Sequence, residues 1–139
     1  MPKFISGLKG DVTDNIFLLD DTQVVYPVGH NIVIYNMDVK QQKVFQCYDG
    51  TEGITAMALS HQKKWLAVAE KCDKSPIVTV YRVENEKKED GEASKKSDGK
   101  TLKKKKTILS KEITQKAFIS MAFAPKNDKH LVTLSCEPD

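Results

Sequence analysis

The chain has 139 residues, of which 40% are hydrophobic, so it is long enough to bury the core of one ordinary domain and is not typical of a disordered protein. Its net charge of +3 comes from residues 84–106, which hold nine lysines and six acidic residues and leave 13 of the 22 basic and 13 of the 19 acidic residues elsewhere. This neutral remainder argues against a protein that binds nucleic acid through a basic folded face.

Three cysteines, an odd number, lie far apart at Cys47, Cys72 and Cys136 and form no CxxC pair. This pattern supports neither a disulfide framework nor a zinc site. The first residues lack the apolar stretch of a signal peptide, and no segment approaches the roughly 18 apolar residues of a membrane helix. We therefore expect an intracellular, soluble protein with no metal, no cofactor, no small-molecule substrate and no membrane partner.

Alternating apolar residues and short β-branched runs, separated by turn residues, predict strands rather than helices along the whole chain. A first unit has predicted strands over residues 16–19, 24–28, 32–35 and 44–48, with turns at 20–22 and at 29–31. A second unit has strands over 55–59, 65–69 and 77–81, and a fourth near 107–110. A third unit has strands over 118–123 and 131–135.

The three units are repeats of one passage. Ile-Thr-Ala-Met-Ala-Leu-Ser-His at 54–61 matches Phe-Ile-Ser-Met-Ala-Phe-Ala-Pro at 118–125, and a weaker copy begins at Val12. The interval from Val12 to Ile54 is 42 residues, and that from Ile54 to Phe118 is 64, or 41 once the 23 residues of 84–106 are set aside. Periods of roughly 40 to 45 residues with several short strands are typical of propeller blades.

The predicted fold is therefore all-β: an incomplete WD-repeat-like β-propeller over residues 1–139, with about two and a half blades of four-stranded antiparallel sheet. Residues 84–106 are predicted to form a disordered, flexible, lysine-rich insertion within the second blade, because their composition offers little apolar surface to bury. An open stack of blades leaves apolar sheet surface at both ends. We expect further blades or another chain to cover these ends. Further blades of a longer protein are favoured over self-assembly because the third unit stops within its strands.

Several passages carry a family resemblance. They include Val-Thr-Asp-Asn at 12–15, Val-Tyr-Pro-Val-Gly at 25–29, Pro-Ile-Val-Thr-Val-Tyr at 76–81 and the passage at 118–125. With them the chain resembles the N-terminal propeller of the ciliary WD-repeat proteins. The signature dipeptides differ: Tyr35-Asn36 and Tyr81-Arg82 stand where Trp-Asp would fall, and Gly29-His30 lies at a predicted turn rather than in the Gly-His register.

The resemblance implies a structural, non-enzymatic protein of the ciliary or flagellar axoneme, located in the cytoplasm and cytoskeleton. It implies partners at the base of the inner dynein arms, in the dynein regulatory complex and on the doublet microtubule, and a role in the assembly or regulation of motility. It also implies a coiled coil in the parent protein beyond the propeller.

Candidate catalytic groups are scattered. His30, His61 and His130 fall one to a unit at predicted turns, so they are expected to be solvated turn residues rather than ligands or bases. Asp20 and Asp21 are adjacent in a turn, where aspartate usually serves the turn itself. Neither GxGxxG nor GxxxxGK[ST] occurs. We predict no catalytic, cofactor-binding or metal-binding residues.

One run points to an interaction: Lys103, Lys104, Lys105 and Lys106. These lysines could contact an acidic partner such as a microtubule surface, a nucleic acid or an anionic membrane. Alternatively, these lysines are the solvated end of a disordered loop, and composition favours this second interpretation. The run also supports an alternative function, a WD-repeat adaptor associated with nucleic acid or ribosomes.

Overall fold

The computed structural model describes residues 4–48, 50–73, 75–86, 99–109 and 117–135. These residues form ten strands in three antiparallel sheets of four, four and two strands, and they contain no helix. The prediction of an all-β fold with about two and a half four-stranded units is confirmed, and the arrangement is consistent with a partial β-propeller.

Each sheet is built from consecutive strands, each paired with the next. The first contains β1 (Phe17–Leu18), β2 (Gln23–Val28), β3 (Asn31–Asn36) and β4 (Gln41–Gln46). The second contains β5 (Gly53–Leu59), β6 (Trp65–Lys71), β7 (Ile77–Asn85) and β8 (Lys100–Leu109). The third contains β9 (Phe118–Ala124) and β10 (Asn127–Ser135).

The turn between β2 and β3 shows how local sequence sets the register. Val28 pairs with Asn31, which leaves Gly29 and His30 as the connecting residues. Gly29 takes a φ of 57°, in the left-handed region that glycine adopts without a steric penalty. The prediction that Gly29-His30 is a turn is therefore confirmed.

The second sheet is buried on both faces because its residues alternate in size. Leu66 and Val68 of β6 belong to one core cluster, which packs against Val25, Ile32 and other residues of the first sheet. Ala67 and Ala69, on the opposite face, belong to a second cluster with residues of the third sheet, including Phe118 and Met121. Large side chains thus fill one interface, and alanines allow close approach at the other.

The first strand of the second sheet lies between the starts of the first and third units. β5 packs against β9, the first strand of the third sheet. Thr13, which precedes β1, forms a parallel bridge with Ala56 of β5. The starts of the repeated passages therefore lie close together in space, as the innermost strands of a propeller do.

The prediction of a flexible insertion over residues 84–106 is wrong at both ends of that range. β7 runs to Asn85, β8 begins at Lys100, and the two strands pair from Ile77 opposite Leu109 to Asn85 opposite Lys100. The physical reason is Leu102, which is buried in the first core cluster and anchors the lysine-rich part of β8. An edge strand needs only such intermittent burial, whereas composition averaged over 23 residues hides it. Residues 87–98 lie outside the described part of the chain.

Candidate functional site

The four lysines singled out from the sequence lie on the outermost strand of the second sheet. Lys103, Lys104, Lys105 and Lys106, called here the basic edge, are all exposed on β8. Within the described residues, β7 is the strand that pairs with β8, so the other side of β8 is a sheet edge. A sheet edge presents backbone N–H and C=O groups that another strand could use.

The lysines lie on both faces of the sheet, and a bulge places two consecutive ones on the same face. Tyr81 pairs with Lys104 and Val80 with Lys106, which leaves Lys105 as an extra residue. Lys105 and Lys106 consequently both line a groove toward the third sheet. Lys104 projects to the other face, where its Nζ lies 4.7 Å from the centre of the Tyr48 ring in a cation–π contact.

The groove between the second and third sheets is lined by apolar and by basic side chains. Its volume is about 700 Å3. The apolar lining consists of Trp65, Val80, Ile108, Phe123 and Leu131. The charged lining consists of Lys64, Lys105, Lys106, Lys126 and Lys129, together with one acidic residue, Asp128. The surplus of positive charge makes this groove complementary to an acidic rather than a basic ligand.

A second polar feature lies at the joint between the first and second sheets. Glu70 of β6 is completely buried, and its Oε1 accepts hydrogen bonds from the Thr51 hydroxyl at 2.8 Å and from the Tyr48 backbone N–H at 3.2 Å. Its Oε2 is buried and has no hydrogen-bond partner among the described residues. Because Tyr48 and Thr51 follow the last strand of the first sheet, Glu70 ties the connecting segment to the second sheet.

Burial controls the ionisation of this cluster. Desolvation raises the pKa of Glu70, while the hydrogen bonds from Thr51 and Tyr48 act in the opposite direction. Burial, aided by the negative charge of Glu70, raises the pKa of Cys47 to about 12. The pKa of Tyr81 is also raised, chiefly by burial. The Cys47 thiol therefore stays protonated near neutral pH, which makes it a packing group rather than a nucleophile.

Replacing Glu70 by glutamine should flatten the pH dependence of stability. The folded-state pKa of Glu70 lies above its ordinary value of 4.5, so its stabilising contribution is complete below that value and is lost as pH rises through the folded-state pKa. The glutamine side chain keeps an acceptor for Thr51 and Tyr48 and carries no charge. We expect thermal unfolding of Glu70→Gln between pH 5 and 8 to show a smaller decline of Tm than the parent chain.

The control for this experiment is Glu52→Gln. Glu52 carries a partly exposed carboxylate that pairs with Lys71, so its substitution removes a carboxylate without touching the buried cluster. The decline of Tm with rising pH should persist in Glu52→Gln. An equal decline in Glu70→Gln and in the parent chain would contradict the assignment of the pH dependence to Glu70.

The other candidate residues from the sequence do not converge. Asp20 accepts hydrogen bonds from the Thr22 backbone N–H at 2.9 Å and the Gln23 side-chain amide at 2.7 Å, so it shapes its own turn. In the described ranges no three His, Cys, Asp or Glu residues lie together in a way that could hold a metal ion. The same ranges contain no helix of the length and hydrophobicity needed to cross a membrane.

Sequence reasoning missed the buried Glu70 cluster. Its signal is a carboxylate directly after the apolar run Leu66–Ala69, within a strand whose neighbours are buried on both faces. A charged residue in that position requires hydrogen-bond partners. Those partners come from a segment about 20 residues earlier in the chain, which periodicity alone cannot bring together.

Comparison with known proteins identifies relatives that are named cilia- and flagella-associated proteins. No protein-family model matches the chain. It is 30% identical to cilia- and flagella-associated protein 57 of Mus musculus over 135 residues, which cover 97% of this chain and 10% of that protein. It is 43% identical to cilia- and flagella-associated protein 57 A of Tetrahymena thermophila over 82 residues, 57% of this chain and 6% of the relative. Cilia- and flagella-associated protein 43 of Mus musculus is 25% identical over 77 residues, 55% of this chain and 4% of the relative. The chain thus spans a tenth or less of the length of these relatives.

Proposed function

We propose that this chain, a homologue of the proteins named cilia- and flagella-associated protein 57 over nearly its whole length, is part of a protein-interaction scaffold of the cilium or flagellum. The alignment to the mouse protein carries the proposal, because it includes 97% of the chain and therefore all three sheets. The proposal extends to a place on the axoneme, with partners at the inner dynein arms, the dynein regulatory complex and the doublet microtubule, and to support of their assembly or of motility.

The architecture supports a scaffold role. Two core clusters join the second sheet to both neighbours, so the three sheets form one packed stack. The basic edge and the adjoining groove lie on the outside of that stack. A rigid stack with exposed, chemically distinct surfaces is suited to holding partner proteins at fixed positions.

Disruption of the gene in a ciliated cell tests the proposal. We expect cilia that assemble to normal length but beat abnormally and have fewer inner dynein arms by electron microscopy. Restoring the full-length protein should recover both properties. Normal beating and a full set of inner arms in the disrupted cells would overturn the motility part of the proposal.

The alternative, an adaptor for nucleic acid or ribosomes, rests on one observation, the four exposed lysines of the basic edge. It requires binding to RNA with an affinity that falls as salt rises, by roughly 0.7 to 0.9 log units per phosphate contact for each log unit of salt. An absence of RNA binding at low salt would remove this alternative.

A further inference from the structure

We infer that the outer edge of β8 is a docking site for an extended, acidic segment of a partner protein, which adds to the second sheet as a fifth strand. The inference deepens the proposed scaffold role and rests on it for the premise that the partner is a protein. Three independent features of β8 support it: an open edge, a local surplus of positive charge and an exposed apolar end.

The open edge supplies the main-chain half of the site. β8 is ten residues long and is the last strand of its sheet in the described structure. An added strand would lie about 4.8 Å away and would hydrogen-bond to the outward-facing N–H and C=O groups. This mode of binding provides affinity through the backbone and leaves specificity to alternate side chains.

The basic edge supplies the charge. Among the described residues, none of its four lysines forms an ion pair. The acidic residues nearest the end of β7 already have partners, since Glu86 pairs with Lys43 and Glu84 lies 3.7 Å from Arg82. Four adjacent cations without a counter-charge in the described structure favour a ligand that brings carboxylates at strand spacing.

The apolar end argues for a peptide over a nucleic acid. Immediately after the basic edge, Ile108 and Leu109 are 42% and 53% exposed, and Ile108 also lines the groove beside Trp65. The basic stretch spans only about 13 Å at the usual rise of a strand. A ligand matching this edge carries carboxylates next to apolar side chains, a pattern that a peptide can have and a phosphate backbone cannot.

Lysines on an edge strand also serve a simpler purpose, because they discourage pairing between identical edges. In that case the basic edge protects β8 and binds nothing. The two roles differ in their outcome: protection predicts that removal of the lysines causes self-association without loss of any ligand, whereas docking predicts loss of binding to an acidic strand.

The test uses all 139 residues of the chain and a fluorescent twelve-residue peptide that alternates glutamate with threonine and carries two valines at each end, so that it fits β8 in either direction. Binding is measured by fluorescence anisotropy at low and at physiological salt. We expect saturable binding that is weakened about tenfold or more when Lys103, Lys104, Lys105 and Lys106 are all changed to glutamine. A matched variant, with glutamine substituted at Lys9, Lys40, Lys63 and Lys71, has the same net charge and should bind as the parent does, because none of these residues lies on β8 or lines the groove.

A second probe isolates the strand addition. The same peptide, N-methylated at alternate residues, keeps its charge and loses the backbone donors on one edge, so it should bind about tenfold more weakly or worse. Circular dichroism of both lysine variants verifies that the sheets persist, and light scattering reports self-association.

Each remaining outcome overturns the inference. No binding at low salt, equal loss in the two lysine variants, or full binding of the methylated peptide each contradicts a strand docked on β8. Tighter binding of a twelve-nucleotide single-stranded RNA than of the peptide would mean that the edge binds nucleic acid instead. A failed peptide test in a protein that still resides on the axoneme removes this inference alone and leaves the proposed function standing.

Discussion

Replacement of Leu66 by alanine should lower the free energy of unfolding by about 2 to 5 kcal/mol, the range for truncating a fully buried leucine. Leu66 has no exposed surface, and it lies on β6 between Leu59 and Tyr81 of the adjacent strands. It belongs to the cluster that joins the first and second sheets, so the cavity would open in the interface between them. Urea unfolding followed by circular dichroism measures the change.

Leu134→Ala is the matched control for this substitution. Leu134 lies on β10 and is 59% exposed, so the same atoms are removed from a site that water already reaches. Its effect should be within about 0.5 kcal/mol. Equal effects at Leu66 and Leu134 would mean that the second sheet is not packed between its neighbours as described.

Removal of residues 84–106 should destroy the outer half of the second sheet. The deletion takes away the end of β7 and most of β8, including the buried Leu102. We expect a large loss of β signal in circular dichroism and no cooperative unfolding transition. This result is opposite to that expected from a flexible insertion, whose removal would leave the β signal unchanged.

A narrower replacement provides the control. The Glu86 backbone N–H donates to the Gly99 carbonyl at 2.7 Å, so the chain is already closed at this pair. Asn-Gly in place of residues 87–98 joins the pair by the two-residue turn that fits antiparallel strands. The replacement should retain the β signal, with a stability within about 1 to 2 kcal/mol of the parent. Loss of structure in this variant would contradict the pairing of Asn85 with Lys100.

Sequence periodicity was sufficient to predict the strands whose apolar and polar residues alternate and those that are buried on both faces. Val24 to Val28 and Ile32 to Tyr35 were placed correctly because β-branched residues and a glycine turn coincide there. The repeat also located β9 and β10. The last strand of the first sheet begins at Gln41, before the predicted start at Val44. The prediction misses these first residues because two glutamines and a lysine carry no apolar signal, although they pair with β3.

The basic edge shows where composition misleads. A lysine run predicts solvated coil because each lysine gains little from burial, and the lysines are indeed exposed. Their backbone is nevertheless held in a sheet by β7 and by a single anchor, Leu102. Pairing across the connection between β7 and β8 is a tertiary effect that the local sequence does not encode.

The hydrogen bonds of Glu70 could not be predicted from the sequence for a related reason. The carboxylate is stabilised by Thr51 and by the Tyr48 backbone, which approach it only after the first and second sheets pack. From the sequence one can infer that a buried glutamate needs donors, but the fold decides which residues provide them.

The location of the protein in a ciliated cell tests the central claim most directly. The full-length protein, tagged at its end and expressed from its own locus, is followed by fluorescence before and after detergent extraction of the membrane. We expect the signal along the cilium or flagellum, retained with the axoneme after extraction. A signal confined to the nucleus or to ribosomes would contradict the proposed scaffold role.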